Sequence, residues 1–193
     1  MGRPIESLPL FHHLQAYIGE YRGTESKPQN RPACEYSLDR FEHPSRDMTT
    51  ITSNGLRFIE SDVPFGEEIA CTLRKSQAGY TRAIMGAICE FIAQRRRGIE
   101  YGQILDNHGE LFDGSRKEGL LASTHPCFDN SFNYLPRTSG AALASGNIEL
   151  QIITLIPIAS AEIDLAARDI DALYEHWDKT RPDLLDITRP STL

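Results

Sequence analysis

The chain has 193 residues, of which 40% are hydrophobic and 24% are charged, and its formal net charge is −7. This length and balance predict a single globular domain, residues 1–193, that buries its own core without disulfide bonds or a metal ion. Its longest apolar run, Ile152–Ile158, is too short for a membrane span, and the N-terminal residues lack the apolar core of a secretory signal. We therefore expect a cytoplasmic protein whose four scattered cysteines are free thiols.

The negative charge is concentrated toward the C-terminal end. From Gly140 onward there are nine acidic and four basic residues, so five of the seven excess negative charges lie there. Such a surface repels nucleic acid and attracts a basic protein. Solubility alone is the simpler explanation of the charge, and the sequence leaves both interpretations open.

The N-terminal part of the chain predicts a helix, a loop and then strands. Leu8–Tyr21 has apolar residues at helical spacing, and Thr24–Pro32 is polar with two prolines, so residues 1–32 are expected to form a helix and a loop. Residues 33–193 are expected to form the body. Its first strands are predicted over Ala33–Phe41, Asp47–Phe58 and Glu67–Arg74, the last with one buried face and one wetter face.

The strongest helical pattern in the chain lies between Tyr80 and Gly98. One stripe at helical spacing predicts its buried face, with Gly98 as the stop. The stripe consists of Tyr80, Ile84, Ala87, Ile88, Phe91 and Ile92. Arg95, Arg96 and Arg97 fall in the last turn, where their positive charges interact favourably with the negative end of the helix dipole. An anion site is the alternative interpretation of these arginines.

The remaining segments predict further strands and one long helix. A short strand and a turn are expected over Ile99–Leu111, and a strand over Glu118–Ser123. Cys127–Gly146 has the composition of a long loop. Asn147–Ile158 ends apolar on both faces, which is typical of a central strand, and Ser160 caps a helix that runs to about Lys179. The order of elements favours an α+β fold with a mixed, mostly antiparallel sheet.

No motif in the sequence is typical of an active site. His125 and Cys127 are the nearest Cys/His pair, but they are adjacent across a proline, and the consecutive His12 and His13 point in different directions on a helix. We expect no catalytic residue, metal ligand or cofactor. An active site can still be assembled from distant residues, so a small-molecule hydrolase with a dispersed polar site around His125, Asp129 and Arg137 is the alternative.

Several segments together resemble the suppressor-of-fused domain. The segment Ile153–Ile158, followed by Ala161–Glu162–Ile163, resembles the Pro-Ile…Glu signature of that domain. Leu184–Ser191 resembles its closing Asp…Arg…Ser motif, and the sequence predicts that Asp186 and Arg189 pair there to pin the C-terminus. Three upstream segments match in the same order, namely Met48–Leu56, Glu68–Leu73 and Tyr101–Asn107. The match departs at Ser53–Asn54 and at Gln103, where histidine is expected.

The resemblance implies an α/β sandwich with a mixed central sheet flanked by helices, and no catalytic residues. The animal member of the family binds and restrains a transcription factor, and short bacterial members resemble immunity proteins that neutralise toxins. We therefore expect a non-enzymatic module that sequesters another protein, and a basic toxin domain would suit it. Nucleic acid and membranes are not expected as partners, and the sequence does not determine the oligomeric state.

The long loop supplies the candidate partner contacts. Phe128, Phe132, Tyr134 and Arg137 are residue types that often anchor interfaces. The alternative is that the aromatic side chains fold back onto the core. Binding could use strand addition at a sheet edge or docking in a groove.

Overall fold

The computed structural model describes residues 9–25, 36–59, 66–137 and 145–193. In chain order they form the helices α1 (Pro9–Ile18), α2 (Ala78–Arg95), α3 (Ser160–Arg168) and α4 (Ile170–Thr180). The strands are β1 (Glu20–Glu25), β2 (Ser37–Glu42), β3 (Thr49–Asn54), β4 (Gly66–Leu73), β5 (Ile104–Asp106), β6 (Gly119–Ser123), β7 (Tyr134–Pro136) and β8 (Ile148–Ile158).

All eight strands join one sheet in the order β1-β2-β3-β4-β8-β6-β5, with β7 pairing β8 beyond the end of β6. Among the described strands, only β4 and β8 pair in parallel, with Gly66 opposite Leu150, and the other pairings are antiparallel. The predicted α+β class with a mixed, mostly antiparallel sheet is confirmed.

Helices cover both faces of the sheet. Alternate residues of β4, such as Ile69 and Cys71, pack with α2 on one face, whereas Ala70 lies in the cluster formed by α1 on the other. The ends of β6 and β8 pack against α3 and α4, which share the face of α1. The prediction that one face of β4 is wetter was wrong, because β4 is a central strand covered by helices on both sides.

The first helix ends earlier than predicted. Gly19 follows Ile18 with a φ of 97°, and a Cβ there would lie 2.5 Å from the carbonyl oxygen of Glu42, so only glycine fits this turn. The chain then forms the edge strand β1, which takes in Thr24 and Glu25 from the predicted loop. The predicted strand over Ala33–Phe41 is found as β2, and Ala33, Cys34 and the predicted loop residues 26–32 lie outside the described residues.

Helix α2 is rotated relative to the predicted buried stripe. Ile84 and Ile92 are buried as expected, but the other core positions are Thr81, Met85 and Cys89. Tyr80 and Phe91 are 37% and 39% exposed. The helix also ends before Gly98, because Arg96 adopts the left-handed conformation with a φ of 49° and closes it. Arg95 lies over the ring of Phe91, so it covers apolar surface as well as facing the helix end.

The predicted long C-terminal helix is broken in two. Asp169 is extended between α3 and α4, and its carboxylate accepts the backbone N–H of Ala172 at 3.0 Å as the cap of α4. Ser160 is already helical and does not cap α3. The side chain of Glu162 instead turns back to accept the N–H of Ala159 at 2.8 Å.

A buried ion pair fixes the C-terminal tail. Arg189 donates to both carboxylate oxygens of Glu162, at 2.7 and 2.9 Å, and the Trp177 indole donates to the same carboxylate at 3.0 Å. Burial alone raises the pKa of Glu162, but the hydrogen bonds and charge of Arg189 outweigh it and lower that pKa. The predicted ion pair between Asp186 and Arg189 was wrong, since the Asp186 carboxylate accepts from Gln77 and Thr188 instead. The backbone N–H of Arg189 does donate to the carbonyl of Asp186, at 3.2 Å.

A buried lysine lies beside this ion pair. The ammonium of Lys117 donates to the backbone carbonyl of Arg189 at 2.7 Å, and its side chain is fully buried. Burial, together with the nearby charge of Arg189, lowers the pKa of Lys117 to about 8. The lysine therefore ties the connection before β6 to the tail.

Within the described residues, no helix is both long and apolar enough to cross a membrane.

Replacing Arg189 by methionine should lower the free energy of unfolding by about 3–5 kcal/mol, because Glu162 would remain buried without its partner. Urea denaturation followed by circular dichroism measures this loss. In the double variant E162Q/R189M the loss should be smaller, because no unpaired charge remains. The control K179M breaks the exposed pair of Lys179 with Glu175 and should cost at most about 0.5 kcal/mol. A loss in R189M no larger than in this control would contradict the role of the ion pair.

Candidate functional site

The loop between β6 and β7 lies across the α1 face of the sheet. His125 is its buried centre and is only 2% exposed. The backbone N–H of Cys127 donates to Nδ1 of His125 at 3.1 Å, so Nε2 carries the proton and donates to Thr72 Oγ1 at 2.9 Å. The loop is therefore fastened to the sheet through a neutral imidazole.

Two of the predicted partner contacts pack inward beneath this loop. Phe132 is fully buried and lies against the ring of Tyr17 on α1. Phe128 is half-buried, stacks on the His125 imidazole, and carries the Arg46 guanidinium above its ring. Phe132 is thus a core residue in this structure, which is the alternative that the sequence left open.

The other two predicted contacts lie at the surface near β7. Tyr134 is half-buried, with its ring 6.1 Å from that of Tyr101. Arg137 is exposed and donates to the carbonyl of Ile148 at 3.2 Å. Together with the outer edge of Phe128, these residues remain available to a partner.

The residues of the alternative hydrolase site are engaged separately. Burial, reinforced by the charge of Arg46, lowers the pKa of His125 to about 3, and both of its nitrogens are already hydrogen-bonded. Asp129 is exposed, and hydrogen bonds from Ser131 lower its pKa. Among the described residues, no hydrogen bond or ion pair joins His125, Asp129 or Arg137 to one another. This arrangement does not form an acid–base pair.

A groove of about 420 Å³ opens beside the loop, and we call it the α4 groove. One wall is the C-terminal end of α4 with the residue that follows it, and the other is the loop from Thr124 to Pro126. The first wall consists of Tyr174, Trp177, Asp178 and Arg181. Ser123 and Ile156 form the floor. The sequence did not reveal this groove, because its walls come from segments about 50 residues apart that only the sheet brings together.

The free edge of β5 is a second surface that could bind a partner. The backbone N–H of Asn107 donates to the carbonyl of Glu118, and the N–H of Ala122 donates to the carbonyl of Gln103. In antiparallel strands, residues whose backbone groups face the neighbouring strand alternate with residues whose groups face away. The backbone groups of Leu105, midway between Gln103 and Asn107, therefore face β6. The N–H and C=O groups of Ile104 and Asp106 therefore point away from the sheet. In the described part of the chain they make no hydrogen bond.

Acidic residues surround this edge. The stretch from Arg97 to Glu118, which contains β5 and its flanking turns, has five acidic and three basic residues, and one of the basic residues is the buried Lys117. Asp106 lies on the edge strand itself and Glu100 precedes it in the adjoining turn, and both are exposed. An extended segment that paired here would meet a negative potential.

The described residues contain no group of three or more histidine, cysteine, aspartate or glutamate side chains placed to hold a metal ion.

Comparison with protein-family models gives one match over most of the chain. The model described as suppressor of fused protein (SUFU) matches residues 35–190. Comparisons with curated proteins and with solved structures gave no significant match.

The buried histidine should make the protein sensitive to acid. The folded state keeps His125 neutral down to a pKa of about 3, whereas the unfolded chain takes up a proton near pH 6.5, so stability should fall as the pH drops between these values. In the variant H125Q the free energy of unfolding should fall less over this range, as measured by urea denaturation at each pH. The control H108Q changes an imidazole that is 86% exposed and should follow the wild type. An H125Q curve parallel to the wild type would contradict this account.

Proposed function

The chain belongs to the suppressor of fused family, whose domain is a protein-interaction module, and we propose that it sequesters a partner protein rather than catalysing a reaction. The observation that carries this proposal is the free edge of β5. An extended segment of the partner adds to the sheet there, with its backbone hydrogen-bonded to Ile104 and Asp106.

The opposite edge of the sheet is a poorer site for strand addition. In β1 the pairing with β2 shifts between Tyr21 and Gly23, which is an irregularity that twists an edge away from further pairing. Glu20 and Arg22 form an ion pair at 2.8 Å along the same strand. Irregular, charged edge strands resist the addition of another chain, so β5 is the better candidate.

The charges around β5 favour a basic partner. Glu100 and Asp106 lie beside the outward backbone groups, and the chain as a whole has a net charge of −7. A basic segment would be drawn toward this edge, and the association should weaken as salt screens the attraction. Phe128, Tyr134 and Arg137 remain candidate contacts for the rest of the partner.

The finer proposal is an immunity role, in which the partner is a toxin with a basic domain. A toxin can be neutralised by occupying its surface, which requires no catalytic residue, metal or cofactor in the neutralising protein. The acidic charge of this chain and its family support the proposal. We place the protein in the cytoplasm, where such a toxin would have to be intercepted.

A proline at Ile104 tests the binding mode. It removes an N–H that points outward and leaves the bonds between β5 and β6 in place, so I104P should bind the partner at least about tenfold more weakly. Because the Ile104 side chain packs against the core, the melting temperature of I104P is compared with that of I104A, and the two should be similar. The matched control I104A removes most of the side chain but keeps the N–H, and it should bind like the wild type. The partner is first captured from the native cell with the wild-type chain, and affinities are then measured with purified proteins.

Two outcomes decide the proposal. Equal binding by I104P and wild type, or equal loss in I104P and I104A, would exclude backbone pairing at β5. For the immunity role, the captured protein should arrest growth when it is expressed alone, and the wild-type chain should restore growth while I104P should not. A captured protein without toxicity would exclude the immunity role and leave the binding mode standing.

A further inference from the structure

We infer that the α4 groove is a second binding site, for a small zwitterion such as an α-amino acid with an apolar or aromatic side chain. This site is separate from the β5 edge and does not depend on the proposed function. Its size is appropriate, because about 420 Å³ lies near the lower end of the range for small-molecule sites.

The C-terminal end of α4 and the residue after it supply the two charges of the site. Tyr174, Trp177 and Asp178 are spaced so that they share one side of α4, and Arg181 is the first residue after the helix, where its backbone is left-handed with a φ of 52°. Trp177 is buried and Tyr174 half-buried, whereas Asp178 and Arg181 are exposed. The carboxylate and the guanidinium therefore lie at the rim of the groove, above an aromatic wall.

The two charged groups keep free hydrogen-bonding capacity. Arg181 donates its Nε to the backbone carbonyl of Asp178 at 2.9 Å, which leaves its terminal nitrogens for a ligand. Within the described residues, the carboxylate of Asp178 accepts no hydrogen bond and forms no ion pair. The rim thus offers an acceptor for an ammonium group and donors for a carboxylate, three residues apart in the chain.

The interior of the groove carries no charge. His125 is neutral and both of its nitrogens are occupied, and the hydroxyls of Ser123 and Tyr174 bond to each other at 2.9 Å. Ile156 and Leu184 add apolar surface. A ligand with a single net charge would be repelled by one of the two rim groups, whereas a zwitterion pairs with both and places its side chain inside.

The test uses L-phenylalanine as the probe and amide chemical shifts of the wild-type protein as the readout. Two derivatives test the contribution of each ligand charge. N-acetyl-L-phenylalanine lacks the ammonium group, and L-phenylalaninamide lacks the carboxylate. Phenylalanine should shift amides of α4 and of Thr124, and each derivative should bind at least about tenfold more weakly. Equal binding by all three would overturn the inference, because recognition would then depend on the ring alone.

Variants of the two rim residues complete the test. D178N and R181Q should each weaken the binding of phenylalanine at least about tenfold, while the charge-retaining R181K should recover part of it. The control K179Q alters an exposed residue of α4 outside the groove and should bind like the wild type. Thermal melts of every variant confirm folding. Absence of any shift at about 10 mM phenylalanine, or unchanged binding in D178N and R181Q, would overturn the inference.

Discussion

The ion pair between Glu162 and Arg189 holds together the half of the molecule that carries the α4 groove. Glu162 lies in α3 directly after β8, and Arg189 lies in the tail, so one contact joins the central strand, the C-terminal helices and the end of the chain. The indole of Trp177 binds the same carboxylate, and this fixes the wall of the groove. A buried charge pair of this kind specifies one arrangement, because any displacement leaves an unpaired charge in the core.

The residues that carry the family resemblance are mostly structural. Glu162 belongs to the matched segment after β8 and Arg189 to the matched segment at the end of the chain, and the two side chains form an ion pair. In the same way, Glu68 of a second matched strand accepts the backbone N–H of Gly55 at 2.8 Å and the hydroxyl of Ser53 at 2.6 Å. The residues of the sequence pattern therefore stabilise the sheet and its turns. Most residues that line the α4 groove lie outside the matched segments, so the motifs reveal little about that groove. Strand β5, by contrast, lies within the matched segment Tyr101–Asn107.

Sequence reasoning succeeded where local patterns and burial agree. The strand β8, apolar on both faces, is central as predicted, and α2 was found despite its rotated face. Sequence reasoning failed where tertiary contacts determine the end of a helix. Examples are the early end of α1 at Gly19 and the break between α3 and α4 at Asp169. For the candidate contacts, composition alone did not distinguish the buried Phe132 from its half-buried neighbour Phe128, since their positions depend on α1, more than 100 residues away.

The parallel pairing of β4 with β8 also constrains the order of events during synthesis. Because Gly66 pairs with Leu150, some 80 further residues must leave the ribosome after β4 before β8, its second neighbouring strand, is available to pair with it. Until then the edge of β4 that pairs with β8 is unpaired in the nascent chain, and unpaired strand edges are prone to misassociation. The strand order therefore leaves the growing chain open to misassociation for as long as β8 is missing, however stable the finished domain is.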